Sequence, residues 1–301
     1  MRAHSVVLFA LAAAVAASSA RAQECPYETA KQAHGQWKDT VVTVKLVRKV
    51  RMVAQGREMD TSEDESEIVG TVVHESGLTA ASLFAADPQS AFADRFSRAG
   101  ISVDTQITQA KIVLADGKEI PGKVVLRDKD LDLIYVRPDD KTLKLKHLPI
   151  DKGAELSVLS PVILLGRLDR SADRAPTVRI ERVSAVVEKP RLMYTLAMGV
   201  DSMNDFGAPV LDQEGNPVGL MLVKLAPAGA GRSVLSSGFL SPVVMPGEQV
   251  AKITKQALEA PDPVPTTTAE ADTETEAKTA ADEDEDEIAT LPPATQPADE
   301  P

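Results

Sequence analysis

Asn204-Asp-Phe206-Gly-Ala-Pro209-Val-Leu-Asp-Gln-Glu-Gly215-Asn-Pro-Val-Gly219-Leu-Met-Leu-Val223 reads as two short strands joined by a turn. Ala208-Pro-Val-Leu211 is an apolar run of strand length, and Val218-Gly-Leu-Met-Leu-Val223 returns after the turn formers Gln213-Glu-Gly-Asn216. The same grammar extends outward from this hairpin. Thr40-Val-Val-Thr-Val-Lys-Leu-Val47 and Lys111-Ile-Val-Leu114 alternate, and Lys123-Val-Val-Leu126 and Leu131-Asp-Leu-Ile-Tyr-Val136 are short runs. Pro161-Val-Ile-Leu-Leu165, Thr177-Val-Arg-Ile180, Val183-Ser-Ala-Val-Val187 and Leu192-Met-Tyr-Thr-Leu196 follow. Many short strands at close spacing predict a mainly β fold, a barrel or sandwich, rather than alternating strands and helices.

Helical signals are confined to the ends of this β region. Residues 28–38 have helical character, and in Pro246-Gly-Glu-Gln-Val-Ala-Lys-Ile-Thr-Lys-Gln-Ala-Leu258 the residues Val250, Ile253 and Leu258 share one face. Two polar stretches, 54–67 and 85–100, read as loop insertions, the first with Glu63-Asp-Glu-Ser-Glu67 as a solvated hairpin tip.

The formal charge of −12 is concentrated at one end. Residues 261–301 hold 13 Asp and Glu against the single base Lys278, whereas the other 260 residues hold 32 acids and 32 bases. With Asp282-Glu-Asp-Glu-Asp-Glu287 at its centre and no aromatic residue, 261–301 is expected to be a disordered tail that spaces and solubilises. No basic stripe forms, so no nucleic-acid partner is expected. At the other end, Arg2, an apolar run over 6–17 and the A-x-A sequence Ala20-Arg-Ala22 form a secretory signal pattern. The expected organisation is a signal peptide over 1–22, a folded region over 23–260 and the tail over 261–301, in an exported protein, periplasmic or secreted. No segment has the roughly 20 apolar residues of a membrane-spanning helix. Cys25 is the only cysteine, which excludes an intrachain disulfide and leaves a free thiol or an intermolecular bridge.

The ordered set of motifs resembles the HtrA-type bacterial branch of the trypsin-like serine proteases. Gly70-Thr-Val-Val-His-Glu-Ser-Gly77-Leu-Thr-Ala-Ala-Ser82-Leu resembles that family's strand ending in T-x-x-H. Arg127-Asp-Lys-Asp-Leu-Asp132-Leu-Ile-Tyr-Val136 resembles its D-x-A-V-L strand, and 204–220 resembles G-N-S-G-G-P-L with the hairpin that follows. The resemblance covers most of residues 28–258. It implies a trypsin-like double six-stranded β-barrel with a short N-terminal helix and a C-terminal helix. The family's PDZ domain has no expected counterpart after the closing helix.

By that resemblance the triad carboxylate falls on Asp132, the imidazole position on Ser82 and the nucleophile position on Phe206. A serine protease needs a hydroxyl to attack, an imidazole to take its proton and a carboxylate to hold the imidazole. A serine hydroxyl is no base at neutral pH, and a phenyl ring has no heteroatom. In the oxyanion loop, Asn204 and Asp205 stand where small residues are usual and Gly207 is kept; a carboxylate and a phenyl ring there are expected to crowd a pocket meant for negative charge. Asp132 is expected to bond Ser82 or backbone amides. His74 precedes Ser82 by eight residues on the far side of the Glu75-Ser-Gly77 turn, and His34 and His147 read as surface residues. No metal-ligand spacing and no glycine-rich phosphate cradle occur, so neither metal nor cofactor is implied. The leading expectation is a non-catalytic, protease-like binding or scaffold protein with a peptide or protein partner. The alternatives are a serine endopeptidase with displaced catalytic groups, and an envelope protein tethered through Cys25 and the tail.

Overall fold

A computed structural model of the protein describes residues 26–151, 153–197, 204–225 and 240–263. The expected signal segment, Cys25, Ser202, Ser236 and Ser237, and almost all of the acidic tail lie outside them. The chain starts with α1 (Pro26–Trp37) and a 3-10 turn, Lys38–Thr40. β1 (Val41–Ala54) opens with Val41 to Val44 all buried, and a period of two follows, with Leu46 buried and Lys45 and Val47 only half-covered.

At Gln55-Gly56 both residues take left-handed backbone, φ 53° and 75°, which turns the chain tightly into β2 (Arg57–Val72). The stretch 54–67 is therefore not a loop. The hairpin tip is at 55–56, and Glu63, Glu65 and Glu67 lie in β2 opposite Lys49, Val47 and Lys45. Lys45 Nζ reaches Glu65 at 2.9 Å, and Arg48 binds Asp64. With charges on both strands, the pattern of polar and apolar residues carries no strand signal there; the strand is held by cross-strand pairs instead.

The polar stretch 85–100 is also structured. β3 (Thr79–Ser82) leads into α2 (Leu83–Ala86), α3 (Pro88–Ala91) and α4 (Ala93–Arg98). Ser82 caps α2 and Asp87 caps α3, which has proline in its first turn. Each helix is too short to show a periodic face, so helices are not confined to the ends of the chain. β4 (Ile101–Val113), β5 (Glu119–Asp128) and β6 (Leu133–Pro138) then close the first barrel in the order β1-β2-β3-β6-β5-β4.

The second barrel is built from β7 (Pro161–Arg167), β8 (Pro176–Val187), β9 (Met193–Leu196), β10 (Pro209–Leu211), β11 (Pro217–Leu225) and β12 (Leu240–Pro246). It closes as β7-β8-β9-β12-β11-β10, so the expected double six-stranded barrel is the observed fold. The interior of the first barrel is filled by Val44, Leu46, Ile112 and Ile134. A second, larger core contains Leu133 and Tyr135 of the first barrel together with Leu220, Leu222 and Val244 of the second. The closing helix α5 (Gly247–Glu259) supplies Val250 to that core, and Tyr135 bonds the Val250 carbonyl at 3.2 Å and Thr254 at 3.1 Å.

Polar bolts reinforce the junction. The buried Arg167 of β7 donates to the Val41 carbonyl at 2.7 and 3.0 Å and to the Lys38 carbonyl at 3.2 Å. Arg174, in the turn before β8, reaches Glu67 of β2 at 2.9 Å. Among the described residues no helix is long and apolar enough to cross a membrane.

Candidate functional site

Ser82 ends β3 and is fully buried. Its Oγ accepts from the Ala85 N–H at 3.2 Å, capping α2, and donates to Asp132 Oδ2 at 2.7 Å. One hydroxyl thus satisfies a helix start and a carboxylate together.

Asp132 stands just before β6 with φ 60°, a left-handed turn that aims its side chain inward. Besides Ser82, its Oδ2 accepts the Val223 N–H of β11 at 2.8 Å, and its Oδ1 accepts the Phe84 N–H at 2.7 Å. Three neutral donors hold this carboxylate, and one of them belongs to the other barrel. Burial pushes its pKa up to about 6, against the opposing pull of the Ser82, Val223 and Phe84 hydrogen bonds. Among the described residues no imidazole is one of its hydrogen-bond partners.

The second half of the site is the turn over 204–207. The buried Asp205 pairs with Arg179 of β8. It lies across Gly166 of β7, where a Cβ would come within 2.5 Å of Asp205 Oδ1. Its charge is thereby tied to the wall of the second barrel, by a cation four positions into β8 that local sequence does not reveal. The carboxylate forms an internal ion pair.

Phe206 is buried, and its ring meets Phe84 edge to face at 6.2 Å and 80°. Phe84 in turn meets Phe92 at 6.3 Å and 68°. Gly207 has φ 97°, and a Cβ there would stand 2.3 Å from the Val69 carbonyl, so no other residue fits. Its N–H donates to the Met221 carbonyl at 2.7 Å and its carbonyl accepts from Thr71 Oγ1 at 2.7 Å. That amide is committed to the fold and is not offered to an anion. Asn204 lines a cavity of about 410 Å³ with Ser66, Val69, Phe84, Ala85 and Phe206, between the first barrel and the β7–β8 turn. Ser66 Oγ in this lining is shielded and has no hydrogen-bond partner among the described residues.

The three histidines of the described residues stand elsewhere. His74 Nδ1 contacts Ser76 Oγ at 2.9 Å, accepts the Ser76 N–H at 3.2 Å, and its ring lies 6.3 Å from that of His147. His34 and His147 are both half-buried rather than surface residues, and His34 Nε2 is shielded with no hydrogen-bond partner among the described residues. Among the described residues no group of three or more His, Cys, Asp or Glu is placed to hold a metal ion. Sequence reasoning missed Phe84, Arg179 and the Val223 amide. Phe84 follows Ser82 by two residues and was readable as an apolar neighbour, whereas the other two join the site only through tertiary packing.

A family model described as a trypsin-like peptidase domain matches residues 69–220, a span that contains Ser82, Asp132 and Phe206. Protease Do-like 1, chloroplastic, of Arabidopsis thaliana is 28% identical over 150 residues, covering 48% of this chain. The aligned region spans 34% of the length of that curated relative.

Proposed function

The chain belongs to the trypsin-like peptidase family, and on that premise we propose that it is a non-catalytic member that binds a peptide or protein partner. In this reading Ser82, Asp132 and Phe206 are the counterparts of the base, the orienting acid and the nucleophile, and Asn204, Asp205 and Gly207 are the counterparts of the oxyanion loop. The observation that carries the reading is the Ser82–Asp132 bond of 2.7 Å, with the same hydroxyl capping α2. The carboxylate that would orient an imidazole is saturated by a serine and two amides, and the next position in the relay is a buried phenyl ring. Acyl transfer needs a base within hydrogen-bond reach of a hydroxyl, and Ser82 cannot supply one.

The binding half of the proposal rests on what loss of the triad leaves untouched. Protease folds hold substrates as added strands, a mode that requires backbone edges and pockets rather than a nucleophile. The cavity beside Phe206 and Phe84 is of a size and polarity to take an apolar side chain. The reading includes export, supported by the N-terminal pattern over 1–22, with the folded region over 23–260 and the tail over 261–301.

The test is direct. Full-length protein with the signal segment removed should leave casein intact and should not be labelled by a fluorophosphonate. Labelling that is abolished by replacing one serine would overturn the proposal in favour of displaced catalytic groups. The double variant Ser82→His with Phe206→Ser should label if the two positions are the triad counterparts, provided circular dichroism shows it folded.

A further inference from the structure

β1, β2 and β4 run on past the first barrel as a three-stranded ribbon, with β1 in the middle paired to β2 over 41–54 and to β4 over 43–54. β2 finds its next neighbour, β3, only at Gly70–Val72, and β4 finds β5 only at Ala110–Val113. Among the described residues, 57–69 of β2 and 101–109 of β4 therefore have no further strand partner, although α3 and α4 pack against part of β4. Unpaired edges template pairing with another chain, and proteins guard them with charge or proline.

The two edges are guarded very differently. The β2 edge carries Arg57, Glu58, Asp60, Glu63, Asp64, Glu65 and Glu67. The β4 edge, Ile101-Ser-Val-Asp-Thr105-Gln-Ile-Thr-Gln109, carries the single charge Asp104 and no proline. It is also self-complementary. Antiparallel pairing with a second copy about Thr105 sets Val103 opposite Ile107 twice, Asp104 opposite Gln106 twice and Thr105 opposite itself. No like charges face each other in that register, and β-branched pairs occupy one face. Thr105 Oγ1, at its centre, is shielded from solvent and has no hydrogen-bond partner within the described residues.

We infer that residues 101–109 of β4 are a homodimerisation edge, joining two ribbons into one continuous sheet across a two-fold axis at Thr105. The occupant is a second copy of this chain, because the register that avoids charge clash is one the strand makes with itself. The inference is independent of the functional reading, since it uses neither the cavity nor the triad positions.

Sedimentation velocity on the full chain with Cys25→Ser, which removes disulfide-linked dimers, should show a concentration-dependent dimer. The deciding variants act on Gln106, which is exposed. Gln106→Lys sets a base against Asp104 of the second copy at two symmetric places and should tighten the dimer, whereas Gln106→Glu should weaken it. Each change is expected to move the dissociation constant by roughly 2- to 30-fold, in opposite directions. Thr105→Cys in the Cys25→Ser background should form a disulfide-linked dimer on mild oxidation. A chain that stays monomeric up to its solubility limit overturns the inference. So does a dimer indifferent to the sign of the charge at 106, or one that Thr105→Cys fails to cross-link.

Discussion

The Ser82–Asp132 corner of the first barrel and the 204–207 turn of the second carry the same kind of group, a buried carboxylate, and stabilise it in opposite ways. Asp132 is held by three neutral donors, with no cation among its hydrogen-bond partners in the described residues. Asp205 is paired with a guanidinium, that of Arg179. Around Asp132 the side-chain partner is polar, and the network closes on Ser82. Around Asp205 the neighbouring position is apolar, and Phe206 packs on Phe84 instead of joining a network. Two buried carboxylates are thus accommodated by two routes, hydrogen bonds from neutral donors on one side and an ion pair beside a packed aromatic ring on the other.

The largest way to break this comparison is on the packed side. Phe206→Ala removes a buried ring and should cost about 3–5 kcal/mol in urea unfolding, since the cavity left behind adds to the lost transfer energy.

The second test is pH. Asp132 has a folded pKa of about 6 against the ordinary 3.8. Its folded value is raised, so the folded state binds more protons than the unfolded state between those values. The associated stability is fully present below pH ~4 and is lost as pH rises through ~6, an effect of about 3 kcal/mol. Unfolding midpoints of wild type relative to Asp132→Asn should therefore fall from pH 4 to pH 7; a flat difference would contradict the burial argument.

Next comes the hydroxyl that joins the two tasks. Ser82→Ala should cost about 2 kcal/mol at pH 7, combining a charge-assisted hydrogen bond with a helix cap. The same variant should push the Asp132 pKa further upward, because one of the bonds that favours the carboxylate is gone. Smallest is Arg179→Met. Arg179 is about one-third exposed, so screening limits its pairing with Asp205, and the loss should be about 1 kcal/mol and shrink with salt.

Much of the fold was legible because it is written locally. The runs around 41–47, 161–165 and 218–223 alternate or stay apolar over strand length, and each is a strand in the structure. The polar ribbon of β2 was not legible, because Glu65 pairs with Lys45 of β1 and Glu67 with Arg174 in the turn before β8, which periodicity does not record. The helices over 83–98 were hidden for a related reason. Four to six residues make barely one turn, and their order depends on the Ser82 and Asp87 caps and on the barrel beneath.

By itself the sequence determined side-chain chemistry: which groups can attack, accept a proton or carry charge is settled by residue type at each position. It also determined where strands can form, because a period of two needs only neighbours along the chain. Only the tertiary structure decided which of those groups meet. That Asp132 is held by an amide of β11, that Asp205 turns to Arg179, and that the outer edge of β4 carries one charge while that of β2 carries seven all depend on register and barrel closure. Those are set by contacts between residues far apart in sequence, whose free energy is a property of the packed whole.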